Sequence, residues 1–168
     1  KQYKTLRAAH VNDGHLEDFF TELEGILTYS RDRIKIFKLS LAQDGPHKSF
    51  RLLLAKRDDL LELDPTGELI RKLAQDPDAN VRINISLRED LLQADPTGEL
   101  IKQLATDEDE YIRRYIAYLE DLLQADPTGN LIKQLAQDSS RHVRMGIAMR
   151  KDLLQADPTG ELIKQLAT

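Results

Sequence analysis

The sequence predicts an all-α fold, a solenoid of tandem helical repeats, on three observations. The tetrapeptide Asp64-Pro65-Thr66-Gly67 recurs at Asp95, Asp126 and Asp157, with a spacing of 31 residues each time. Every copy runs into a near-identical segment with leucine and isoleucine at helical spacing: ELIRKLAQD from Glu68, with counterparts from Glu99, Asn130 and Glu161. The composition, 40% hydrophobic and 32% charged, is that of a folded, helix-rich chain rather than a disordered one. A helix with one apolar stripe cannot bury it alone, whereas stacked copies can, so a fixed period of this length predicts a stack.

Residues 1–31 do not fit the repeat. Leu16, Phe19, Phe20, Leu23, Ile26 and Leu27 still follow a helical spacing, which predicts an N-terminal helical cap. A degenerate repeat at 32–63 lacks Pro-Thr-Gly but keeps the Leu-Ala-Gln-Asp ending at Asp44. Full repeats follow at 64–94, 95–125 and 126–156, and a half repeat at 157–168. In each, Asp-Pro is expected to act as N-cap and first helical residue, since proline supplies the right φ and lacks an N–H that would go unpaired there. Leu69, Ile70 and Leu73 form the apolar stripe of the first helix. The turn Asp76-Pro77-Asp78 leads to a second helix from about Val81, with Val81, Ile85, Arg88 and Leu92 on one face. In the half repeat, Leu162, Ile163 and Leu166 have no following second helix to cover them. The expectation is either further repeats or self-association through the C-terminal helix. The chain begins with Lys1 rather than Met, as expected of one processed or cut from something longer.

The string LAQDPDANVRINIS, with Asp-Pro ahead of a Val-Arg that opens a second helix, resembles a HEAT-type repeat. Its 31-residue period is similar to the short subclass found in bilin lyases and related bacterial proteins. The string also resembles the leucine-rich-repeat-variant family, whose repeats are shorter and include a tight helical turn. The likeness covers residues 32–168 and implies a right-handed α-solenoid of two-helix repeats. The near-invariant LLQADPTG connection departs from the pattern. Because the class hosts many unrelated roles, the resemblance speaks to architecture and little to activity.

Composition narrows the function. The absence of cysteine removes disulfides, thiolate metal sites and cysteine nucleophiles, and is compatible with a reducing cytoplasm, the location expected. No apolar run approaches the roughly 20 residues needed to span a bilayer. A net charge of −5 argues against a nucleic-acid-binding domain, and the segment 95–125 alone carries −5. Asp-Pro-Thr-Gly sits at helix starts and reads as a cap and turn, not as a protease motif. His10, His15, His47 and His142 are scattered, with no spacing for helical metal ligands. Asp107 to Glu110 lacks the turn glycine and distal glutamate of a calcium loop and reads as a helix start. No nucleophile elbow, phosphate loop or dinucleotide fingerprint is present, and neither cofactor nor metal is expected.

Two features remain. Arg51, Arg82, Arg113 and Arg144 recur after an apolar residue. The resemblance to HEAT-like proteins implies that they pair with turn aspartates as a ladder, Asp44, Asp76, Asp107 and Asp138 being the candidates, each arginine with its own. The alternative is a stripe that grips phosphates.

The second feature is variation between copies. First helices are nearly identical, whereas second helices differ at Ser49, Leu53, Lys56; Asn80, Asn84, Leu87; Tyr111, Tyr115, Tyr118; His142, Gly146 and Met149. These fall on one helical face, away from Val81 and Ile85, and the resemblance puts second helices on the concave side. Tyr111, Tyr115 and Tyr118, three of the five tyrosines, stand beside Arg114, and both residue types are enriched at binding hot spots. The rings either bind a partner or pad adjacent helices.

The sequence predicts a non-enzymatic module binding a protein or peptide partner through Tyr111, Arg114, Tyr115, Tyr118, Asn80, Asn84, His142 and Met149. Alternatives are a bilin-lyase-like protein associated with a tetrapyrrole-bearing partner and a HEAT-like nucleic-acid glycosylase. The absence of tryptophan and the acidic balance count against the last.

Overall fold

The computed structural model describes residues 48–167. The expected cap at 1–31, the first part of the degenerate repeat and the candidate partner Asp44 lie outside these residues. Among the described residues there are twelve helices and no strand. In chain order they are α1 (Lys48–Ala55), α2 (Leu60–Leu63), α3 (Glu68–Leu73), α4 (Ala79–Ser86), α5 (Leu91–Ala94), α6 (Glu99–Ala105), α7 (Glu110–Tyr118), α8 (Leu122–Ala125), α9 (Asn130–Leu135), α10 (Arg141–Ala148), α11 (Leu153–Ala156) and α12 (Glu161–Leu166). Every helix is short, so stability must come from packing rather than from propensity. The core is a repeated set of apolar residues in which Leu69, Ile70, Leu73, Val81, Ile85 and Leu91 are almost wholly buried, as are their counterparts through Ile147. Successive second helices pack on one another, α1 on α4, α4 on α7 and α7 on α10.

The pattern of two helices per repeat is corrected to three. The stripe from Val81 to Leu92 is not one helix: α4 ends at Ser86, and α5 opens after Asp90 as a separate turn. Arg88 and Asp90 explain the break. Their side chains pair at 2.6 Å although residues two apart do not face each other on a helix, so the pair forms only where the backbone has left it. The same Asp-Leu-Leu sequence opens α2, α8 and α11.

The Asp-Pro-Thr-Gly reading needs a second correction. Asp64 caps α3, but from further back than a first-position cap. Its carboxylate accepts the Leu69 N–H at 2.9 Å and the Thr66 hydroxyl at 2.6 Å, while Pro65 stays in the turn. Gly67, at φ 67°, is the residue that enters the helix. Asp95, Asp126 and Asp157 repeat the arrangement on Leu100, Leu131 and Leu162. The turns before the second helices use ordinary caps, with Asp78, Asp109 and Ser140 accepting from the backbone of Asn80, Tyr111 and His142.

The face of α12 divides. Leu162 is buried, whereas Ile163 is 41% exposed where its counterparts Ile101 and Ile132 are fully covered.

Candidate functional site

The arginine series makes a framework rather than a phosphate-gripping stripe. Arg82 donates from Nε and Nη2 to Asp107 at 2.7 and 2.9 Å, and Arg113 treats Asp138 likewise at 2.7 and 3.0 Å. Arg51 pairs with Asp76. The partner is therefore the aspartate of the following repeat, 25 residues on, and not the arginine's own. The arginine's own turn supplies backbone carbonyls instead: Arg82 Nη1 meets Asp76 O at 2.8 Å, and Arg113 Nη1 meets Asp107 O at 2.8 Å. Each guanidinium thus ties two repeats together. Arg144 donates to the carbonyls of Asp138 and Ser139 and forms no salt bridge among the described residues.

Burial alone would push the Asp107 carboxyl up, but the Arg82 hydrogen bond, the Asp109 amide and the charges of Arg82 and Arg113 outweigh it and hold it below the usual carboxylate range. Asp138 behaves the same way with Arg113, the Ser140 amide and Arg144. Hydrogen bonds to these carboxylates raise both Arg82 and Arg113.

On the opposite side of the second helices lie the positions that differ between copies. Tyr111 is 52% exposed, Tyr118 38% and Met149 67%, and Leu53 and Leu87 are exposed with them. Tyr115 is half-buried. Tyr118, Met149 and Arg114 come together: the Tyr118 hydroxyl lies 3.8 Å from Met149 Sδ, and the Arg114 guanidinium 5.9 Å from the Tyr118 ring centroid. Arg114 Nε is buried without a hydrogen-bond partner among the described residues.

Gly146, grouped with this face from its variability, is instead buried beneath it. A Cβ there would stand 3.0 Å from Ala117 Cβ and 3.3 Å from the Tyr118 ring, so glycine lets α10 approach α7 closely enough for the tyrosine to lie across it. Asn80 and Asn84 are tied to their own helix, through Asp78 at 3.1 Å and the Asn80 carbonyl at 2.7 Å. His142 is half-buried at the start of α10.

Sequence reasoning missed a cleft of about 730 Å³ between the ends of α4 and α7, lined by Leu87, Glu89, Tyr115, Tyr118, Leu119 and Asp121 among others. Its signal was legible, because Arg57, Arg88 and Arg150 share one repeat position that Leu119 occupies in the third repeat. Among the described residues no group of three or more His, Cys, Asp or Glu is placed to hold a metal, and no helix is long and apolar enough to cross a membrane. No protein family, curated protein or solved structure matches the chain.

Proposed function

We propose that the chain is a non-enzymatic interaction module. In this reading it is a right-handed α-solenoid of HEAT-like or leucine-rich-repeat-variant character, and its second helices line a concave face that holds a protein or peptide segment around Tyr111, Tyr115, Tyr118 and Met149. One observation carries it. Five of the eight large apolar side chains exposed among the described residues, Leu53, Leu87, Tyr111, Tyr118 and Met149, sit at positions free to differ between copies. Side chains that hold neighbouring helices together are buried and repeat faithfully, whereas these are neither. Exposed apolar groups gathered on one face mark interaction surfaces.

The experiment is a comparative pull-down with the whole chain and a Tyr111→Ser, Tyr118→Ser, Met149→Ser variant, beside a Leu154→Ser control whose change lies elsewhere. The variant should melt close to the parent and lose a captured partner that the control keeps. Equal capture by all three would refute the reading.

A further inference from the structure

Arg88 and Arg150 show how this protein binds a guanidinium. Arg88 donates from Nε and Nη2 to Asp90 at 2.8 and 2.6 Å, and its Nη groups also reach the carbonyls of Arg57 and Asp58, one repeat back. Arg150 does the same with Asp152 at 2.8 and 2.6 Å and with the carbonyls of Leu119 and Glu120 at 2.6 and 3.2 Å. The socket therefore consists of an aspartate two residues on and a pair of carbonyls 31 and 30 residues back.

The third repeat keeps the residues of the socket, gathered around one cleft, but not the arginine. Leu119 stands at its position, and α7 runs to Tyr118 before Leu119 leaves in an extended conformation, φ −62° and ψ 123°. Asp121 is in place, with Gln124 as its hydrogen-bond donor at 3.0 Å. The counterpart carbonyls belong to Arg88 and Glu89, and neither accepts a hydrogen bond among the described residues. These groups line the cleft of about 730 Å³, and the cleft at the preceding junction measures about 430 Å³, with Arg88 contributing to the walls of both.

We propose that this cleft is a guanidinium site, taking an arginine side chain from a peptide partner into the place that Arg88 and Arg150 fill at the neighbouring junctions. The proposal rests on the interaction-module reading and names one chemical feature of its partner. The planar fork of arginine matches a carboxylate and two carbonyls at once, which a lysine ammonium cannot do with the same geometry. Tyr115, Tyr118 and Leu119 line the cleft and supply apolar walls for the arginine methylenes. The charge of −5 on segment 95–125 favours a cationic visitor.

The test titrates the isotopically labelled full chain with N-acetyl-arginine amide and follows the backbone amides of Glu89, Leu119 and Asp121 by NMR. A saturable shift in the millimolar range is expected, as befits a single side chain. N-acetyl-citrulline amide, similar in shape but uncharged, should produce none. Leu119→Arg fills the socket from within, and should raise the melting temperature and abolish the response. Asp121→Asn provides an independent arm and should weaken binding about tenfold. Equal shifts from citrulline, undiminished binding by Leu119→Arg, or unchanged affinity in Asp121→Asn overturns the site. A partner lost with the tyrosine variant but still held by Leu119→Arg removes the arginine site while leaving the interaction module intact.

Discussion

Arg82→Ala would leave the Asp107 carboxylate, 10% exposed, without the fork that neutralises it, and would also strip a donor from the Asp76 carbonyl. The expected cost is about 2–3 kcal/mol, because removing one partner of a largely buried pair strands the other charge. Arg144→Ala removes only bonds to two carbonyls and should cost about 1 kcal/mol. Urea denaturation of the two variants checks the ordering, and equal losses would show that the ion pair adds nothing beyond the carbonyl contacts. That these arginines meet turn aspartates was what the resemblance implied, and Arg51, Arg82 and Arg113 do so. Which aspartate each meets was not legible, since the answer depends on how far one repeat is offset against the next. Tyr118 teaches the same lesson: variability between copies marked its position as free of the shared packing, but only the close approach at Gly146 shows what it lies on.

At the scale of the element, the helical segments followed from apolar spacing, while their boundaries depended on polar residues that spacing ignores. The aspartate ahead of each Leu-Leu pair is of a type favoured at helix starts, though its side chain makes no cap bond here, and together with Arg88 it signals the break that the run Val81 to Leu92 conceals. The glycine that opens each first helix gives a graded test. Gly129 and Gly160 share a left-handed conformation, φ 71° and 72°, which costs an L-residue about 1–2 kcal/mol. At Gly129 a Cβ would also stand 2.7 Å from the Ala156 carbonyl oxygen, whereas at Gly160 it meets nothing within 4 Å. Gly160→Ala should therefore lose only the conformational term, and Gly129→Ala roughly twice as much or more, because backbone must shift. Thermal melts of the two variants compare them directly, and the same melting temperature for both would mean that α9 can move off α11 at no cost.

Across the described repeats, five aspartates work in one direction. Asp107 and Asp138 in the ladder, Asp95 and Asp126 at the helix caps and Asp152 beside Arg150 all have carboxyls held below their ordinary value in the folded chain. For Asp95 and Asp126 burial works against this, and the hydrogen bonds from the threonine and leucine of the same turn prevail. For Asp152 the Arg150 hydrogen bond is the leading cause. A depressed folded pKa means that the unfolded chain binds more protons as the solution is acidified. The associated stability is fully present above the unfolded value of about 3.9 and is lost as pH falls through and below it. The urea midpoint should therefore stay level from neutrality to about pH 5 and fall progressively beneath about pH 4. Because the ladder pairs are partly buried, about 1 M salt should change the neutral-pH midpoint little, though it screens exposed pairs such as Lys102 with Glu99. Asp107→Asn combined with Asp138→Asn lowers stability at neutral pH and removes two of the groups that titrate, so its midpoint should fall less steeply in acid than the parent's. A parallel fall in the two proteins would assign acid unfolding to the cap aspartates and leave the ladder outside it.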